Sequence, residues 1–298
     1  MIKHIVLSGG GPNNIIQLGC FYELWNKKII SYDTLESIYS TSAGSLLGLN
    51  IVLKYDMNIV KDFYIKRPWH KVFSFKAENL MQMVENNGYI DMKFIEDIID
   101  VFLSAKNVSK DITFIELYNI SNITFNVFTV KLESFEKVIF NHENAPSMSV
   151  KTAILMSCAL PPIFKPILYK NEYYLDGGIL CNYPINECLL KYPNKEDTLG
   201  IHVTTGRQQT INLFSDKSTM PDYMMILLKI LISNIHKNNY VIDRNEIIIK
   251  SNNCALHIEV WKYLLDQDKL QEMYNEGIEL GKKYIKEQNL ETDQACQH

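Results

Sequence analysis

The sequence predicts an α/β protein built on a mostly parallel sheet, and three observations carry that expectation. The first fifty-odd residues read strand, glycine loop, helix, strand, tight turn, helix, the repeating unit of a parallel sheet with crossover helices. The alternation resumes downstream, with strands at 199–204 and 246–250 on either side of a helix at about 221–234. No internal repeat or low-complexity linker divides the chain, so its 298 residues fit one large domain with an insertion.

The elements follow in order. Lys3 to Ser8 is a short apolar run and reads as a buried strand. Gly9-Gly10-Gly11-Pro12-Asn13-Asn14 reads as a loop. A helix then runs from Ile15 to about Lys28, with Asn13 or Asn14 as N-cap and Ile15, Leu18, Tyr22 and Trp25 in one apolar stripe. Gly19 in that helix allows a neighbour to come close. After a break at Ser31-Tyr32-Asp33, a second strand covers Ser37 to Thr41 and turns at once into a helix from Ala43 to about Lys54. The stretch from Tyr55 to about Ile120 is helix-leaning and aromatic, and fits an insertion or cap. Ile123 to Lys131 and Lys137 to Phe140 read as adjacent strands. Ser149 to Cys158 reads as a helix stopped by Pro161-Pro162. Tyr173 to Leu175 is a short strand ending at Asp176-Gly177-Gly178, and Asp268 to Lys286 is a closing amphipathic helix. Residues 1–290 are expected to form the domain, and the polar tail 291–298 to fray.

A composition of 47% hydrophobic and 21% charged residues is that of a soluble globular protein, and a net charge of −4 gives no basis for a nucleic-acid partner. Peripheral contact with a membrane stays open, because interfacial binding can rest on apolar side chains alone. The greasiest stretch, Tyr223 to Ile235, contains Lys229 and falls short of the roughly 18–20 apolar residues a spanning helix needs. Met1-Ile2-Lys3-His4 leads straight into the glycine loop without the apolar core of a signal peptide, so the expected location is the cytoplasm. The six cysteines, at 20, 158, 181, 188, 254 and 296, form no CxxC pair and read as reduced core thiols. Cys158 and Cys181 lie near the segments discussed next, but neither sits in a sequence that activates a thiol.

Three segments carry chemistry. Ser40-Thr41-Ser42-Ala43-Gly44-Ser45 has the small side chains that a nucleophile elbow requires, where a serine is presented between a strand and a helix N-terminus. An ordinary strand-to-helix turn with capping serines has the same composition. Gly9-Gly10-Gly11 follows a strand and precedes a helix, so its amides can face outward to hold a developing oxyanion. A phosphate loop fits poorly, because no Lys-Ser/Thr follows and the G-x-G-x-x-G spacing fails at Asn14. Asp176-Gly177-Gly178 reads as a turn, or as a carboxylate base if the fold brings it to a serine.

Together these segments resemble the patatin-like phospholipase family over most of the chain. The family pattern of oxyanion glycines, elbow and catalytic aspartate corresponds here to Gly9-Gly10-Gly11, Ser42 with Gly44, and Asp176-Gly177. Ser157-Cys158-Ala159-Leu160-Pro161-Pro162-Ile163-Phe164 and Asn182-Tyr183-Pro184 are similar to two further family segments. This chain departs from the pattern at Asn13 and Asn14, where the family has a cation and a glycine, and at Ser40, where it has the first elbow glycine.

The resemblance implies a three-layer α/β/α sandwich with a mostly parallel central sheet. It also implies a Ser42–Asp176 dyad without histidine, an oxyanion hole of Gly10 and Gly11 aided by Gly9 or Ala43, and an acyl-Ser42 intermediate. Neither metal nor organic cofactor enters that chemistry. The implied substrates are fatty-acyl esters of phospholipids or lysophospholipids, with Tyr, Phe and Met residues of the 55–120 region as candidates for the acyl groove.

Two other readings compete. One is an α/β-hydrolase with a Ser-Asp-His triad completed by His202 or His257, although the elbow comes after too few strands for that fold. The other is a lipid-binding protein that has lost activity. Nothing in the sequence sets an oligomeric state.

Overall fold

A computed structural model describes residues 1–71, 90–205, 220–236, 245–251, 255–256 and 258–295. Its centre is an eight-stranded sheet whose hydrogen-bonding path runs β5-β6-β3-β2-β1-β7-β8, with β4 also paired to β3. The strands are β1 (His4–Leu7), β2 (Ser37–Thr41), β3 (Thr124–Lys131), β4 (Glu136–Phe140), β5 (Ile167–Tyr169), β6 (Glu172–Asp176), β7 (Thr198–Thr205) and β8 (Glu246–Ser251). The pairs β3-β2, β2-β1, β1-β7 and β7-β8 are parallel, while β4, β6 and β5 form an antiparallel margin. The expected mostly parallel α/β sheet is therefore present.

Alternation along the strands sorts side chains between two helical layers. Ile5, Leu7, Ile38, Phe125, Val127 and Ile201 join the larger core, whereas Val6, Tyr39 and Phe128 point to the opposite face and meet Tyr183, Ile185 and Cys188. The larger core is covered by α1 (Asn14–Asn26), α2 (Ala43–Val52), α3 (Met57–Lys66), α4 (Lys93–Ala105), α5 (Phe114–Ser121) and α6 (Val150–Ser157). The smaller core lies under α7 (Ile185–Lys191). Downstream come α8 (Met220–His236), α9 (Ile258–Trp261) and α10 (Gln267–Ala295). Among the described residues, no helix is long and apolar enough to cross a membrane.

Several local expectations are corrected. α1 carries no single apolar stripe: Ile15, Ile16, Leu18, Cys20, Phe21 and Leu24 are all buried. The reason is that α1 is clasped between the sheet and α10. At their crossing a Cβ on Gly19 would lie 3.0 Å from the Gly277 Cα and closer still to the Tyr274 carbonyl. Asn13 is the N-cap residue of α1 but makes no capping hydrogen bond, its amide being committed to Gly10 O at 3.1 Å. The tail from 291 stays helical through Ala295, since Glu, Thr, Asp, Gln and Ala include no breaker.

β5 and α7 were not expected. β5 pairs with β6 through Lys170-Asn171, both left-handed at φ 49° and 63°. That two-residue turn is most often signalled by Asn-Gly or Asp-Gly, so a lysine in the first position hid it.

β3 fixes the geometry of the site. β4 pairs along Val127–Lys131, overlapping the β3 residues that pair with β2 as well as those that pair with β6. A strand has only two edges, so β2 and β6 lie end to end along the other one. Thr41 faces Phe128, and Asp176 faces the next residue, Thr129.

Candidate active site

Ser42 stands at the junction of β2 and α2 with φ 53° and ψ −133°. An L-residue held in that region costs on the order of 1–3 kcal/mol and persists only where its surroundings enforce it. Three contacts do so. The Ser42 N–H donates to Ser157 Oγ at 2.8 Å, Ser45 N–H donates to Ser42 O at 2.8 Å, and Gly44 lies so close to β1 that a Cβ there would sit 2.5 Å from Ser8 O.

Ser157 is fully buried at the end of α6, and its own hydroxyl donates to Phe128 O at 2.6 Å. Ser40, standing where the family places a glycine, is also fully buried. Its hydroxyl lies 3.1 Å from Ser45 Oγ and 3.3 Å from Asn126 O, so the extra side chain serves as a polar brace behind the elbow.

Asp176 ends β6. Its Oδ2 accepts the Ser42 hydroxyl at 2.5 Å, and its Oδ1 accepts the Gly178 amide at 2.6 Å. The residue is 1% exposed, and burial pushes its carboxyl up to about 7 against the opposing pull of those two hydrogen bonds. A carboxylate is thus set close to neutrality, where a general base for a hydroxyl is most effective. The turn is tight for a reason: a Cβ on Gly177 would collide with Phe128 O.

The glycine loop faces this pair. Gly11 is left-handed at φ 55°, which favours glycine. Gly9, expected among the oxyanion donors, gives its N–H to Asn182 O at 3.0 Å, and Asn182 Nδ2 returns a bond to Gly9 O at 3.3 Å. These two bonds tie the loop to the Asp176 turn and engage the Gly9 amide. Among the described residues, no acceptor takes the amides of Gly10, Gly11 or Ala43. Asn13, in the family's cation position, turns inward and is buried; its Oδ1 accepts Ser251 Oγ at 3.0 Å, anchoring the loop to β8.

An open apolar pocket with a cavity volume of about 70 Å³ is lined by Gly11 and Ala43 together with Leu18, Leu47, Phe94, Ile98 and Leu264. Tyr64, Trp69 and Phe94 bring aromatic rings to it from the 55–120 region, and among the described residues its lining includes no methionine.

The other candidates fall away from this centre. Oδ2 of Asp176 meets the serine directly, so no imidazole stands between them. His202 on β7 stacks on Tyr183 with ring centroids 4.3 Å apart, and burial pushes it down to about 4. His257 lies outside the described residues. Cys158 is buried, with its thiol pushed well above the usual range, as is that of Cys181. Cys20, Cys158, Cys181 and Cys188 are free thiols. No group of three or more metal-type ligands occurs among the described residues.

Ser157 and Asn182 carry no motif of their own in the sequence; what marks them there is their place in the two further family-like segments.

The chain is 26% identical over 201 residues to the probable lipid hydrolase 463L of Invertebrate iridescent virus 6, covering 65% of this chain and 66% of that relative, just under two thirds of its length. It is 26% identical over 179 residues to triacylglycerol lipase 4 of Saccharomyces cerevisiae, covering 54% of this chain and 18% of that protein. The crystal structure of VipD from Legionella pneumophila has a similar fold, with a TM-score of 0.54 at 16% identity over 95% of this chain and 67% of that one. The patatin-like phospholipase family model matches residues 5–189, well over half of the chain. By that match, over the stretch that contains the glycine loop, Ser42 and Asp176, the chain belongs to the patatin-like phospholipase family, a family of lipid hydrolases.

Proposed function

We propose that this chain is a serine acyl hydrolase that cleaves fatty-acyl esters of phospholipids or lysophospholipids through a Ser42–Asp176 dyad. The observation that carries the reading is the 2.5 Å hydrogen bond from Ser42 Oγ to Asp176 Oδ2 on a strained elbow.

In the first half-reaction Asp176 takes the hydroxyl proton as Ser42 Oγ bonds to the ester carbonyl carbon. The carbonyl oxygen gains the negative charge, and the amides of Gly10, Gly11 and Ala43 hold it. Each such donor is worth about 3 kcal/mol in the transition state. Collapse breaks the bond to the alcohol oxygen, which leaves with the proton from Asp176, and acyl-Ser42 remains. In the second half-reaction Asp176 takes a proton from water as the hydroxide oxygen attacks the acyl carbon. The fatty acid departs, and the proton returns to Ser42. The chemistry needs neither metal nor organic cofactor.

The apolar pocket beside Gly11 and Ala43 supports an acyl chain as the bound group, since each methylene taken from water contributes about 0.8 kcal/mol. Residues 1–290 then form one catalytic domain, with Tyr64, Trp69 and Phe94 of the 55–120 segment against the acyl chain and with peripheral contact to a lipid surface.

A fluorophosphonate probe tests the assignment. The wild type should label and Ser42→Ala should not. A wild type that resists labelling while a known serine hydrolase labels beside it would favour the lipid-binding reading and sink this one.

A further inference from the structure

The reading above leaves one surface unused. The inner face of α8 is anchored: Ile226 and Lys229 are buried, and Ile232 packs against Val130, Leu175 and Ile179, the cluster flanking Asp176. The outer face carries Met220, Met224, Leu227, Ile230 and Leu231, whose spacing puts them on one side of the helix. Met220, Met224 and Leu231 are 71%, 54% and 52% exposed. From Met224 to Leu231 the one charged residue is Lys229, and it is buried on the opposite side.

We propose that this stripe is a lipid-docking surface, which enters the boundary of a zwitterionic bilayer and leaves the inner face of the helix packed beside the Asp176 turn. The purpose rests on the hydrolase reading; the surface itself does not. Its size favours lipid over protein. From Met220 to Leu231 the helix rises about 18 Å, and a stripe about 10 Å wide offers roughly 180 Å². A stable protein interface takes about 800 Å² from each partner, whereas a bilayer requires neither that area nor a matching shape. Charge favours a zwitterionic surface over an anionic one, because the stripe has no cation and the chain carries −4. Through its inner face the same helix packs on the residues beside Asp176, so the docked surface and the site belong to one packed unit.

The test is co-sedimentation of the full chain with phosphatidylcholine vesicles at low and high salt. Wild type and Ser42→Ala should bind equally, with little salt dependence. Leu227→Glu/Leu231→Glu should lower the partition coefficient by at least about tenfold, the loss of burying one such side chain. Its circular dichroism and its turnover of a soluble short-chain ester should match wild type. Leu190→Glu, at an 86% exposed leucine on α7, should bind as wild type does. Unchanged vesicle binding by the double variant overturns the proposal. So does a wild type that does not bind, or a variant whose one change in sedimentation velocity is from dimer to monomer. Lost vesicle binding in the variant with no ester turnover by wild type sinks the hydrolase reading and leaves the docking surface standing.

Discussion

The backbone N–H of Ser42 is held by the hydroxyl of Ser157, 115 residues away, at 2.8 Å. That contact sets the left-handed turn of the elbow and takes the serine's own amide out of contention as an oxyanion donor. The Ser157 hydroxyl in turn donates to Phe128 O, so elbow, α6 and β3 are fastened at one point. Ser157→Ala leaves a donor unpaired at about 1–3 kcal/mol. We expect kcat to fall about 10- to 100-fold with KM little changed, together with a lower Tm. Ser45→Ala is the control, since it removes the Ser40 partner and a 3.5 Å contact with Ser157 Oγ but leaves the bond from Ser42 N–H to Ser157 in place; an equal loss there would refute a specific role for Ser157.

Asp176 trades stability for reactivity, and the sign can be checked. Its folded pKa is raised from 3.8 to about 7, so the native state binds the extra proton between those values. Stability then declines as pH rises from about 4 to about 7, by up to roughly 1.4 kcal/mol per pH unit. Asp176→Asn removes this loss. The variant should equal wild type near pH 4 and melt at a higher temperature above pH 7, while turnover falls by about 10⁴. A Tm difference independent of pH would show that the carboxyl is not perturbed.

The same titration should shape the rate. We expect kcat/KM on a soluble ester to rise through about pH 7 as Asp176 loses its proton, then to level off. His202, pushed down to about 4, is neutral throughout that range. His202→Ala should therefore keep the profile while losing the packing on Tyr183. Abolished turnover in His202→Ala, or in His257→Ala, would point to a triad instead.

The glycine loop should tolerate added carbon unequally. A Cβ on Gly9 would lie 3.0 Å from the Ser42 Cβ and 2.5 Å from Asn182 Oδ1. A Cβ on Gly10 would meet Asn14 Oδ1 at 2.9 Å and Val203 Cγ2 at 3.2 Å, away from the serine. Gly9→Ala should cost kcat about 10²- to 10³-fold by displacing the nucleophile and the Asn182 tie, and more than Gly10→Ala. Parallel kinetics and thermal melts decide the order.

Filling the pocket should separate long from short substrates. Leu47→Trp puts bulk where an acyl chain is proposed to lie. At about 0.8 kcal/mol per methylene excluded, kcat/KM should fall at least tenfold for a long-chain ester and stay near wild type for an acetyl ester. Equal losses on both would place the chain elsewhere.

Much of this was legible in the residues because the signals are local. β1, β2, the elbow and the Asp176 turn each announce themselves within a few positions, through apolar runs and small residues at tight corners. What was not legible depends on distant partners. Ser157 in a helix end looks like any serine until β3 brings the Phe128 carbonyl to it, 29 residues back in sequence. Gly9 belongs to the glycine run, yet its amide is claimed by Asn182, 173 residues on. Asn13 resembles a helix cap until Ser251 and Gly10 engage its side chain.

β3 works as a measuring rule for the site. Because Thr41 and Asp176 read off neighbouring marks on it, Phe128 and Thr129, the gap from serine to carboxylate is set by strand register and not by the length of chain between them. The helices inserted between β2 and β3 can therefore lengthen or shorten and reshape the pocket while that gap holds. A single-residue slip of β6 along β3 would instead turn Asp176 to the far face of the sheet. Variation in what the site accepts is thereby uncoupled from the spacing on which its chemistry depends.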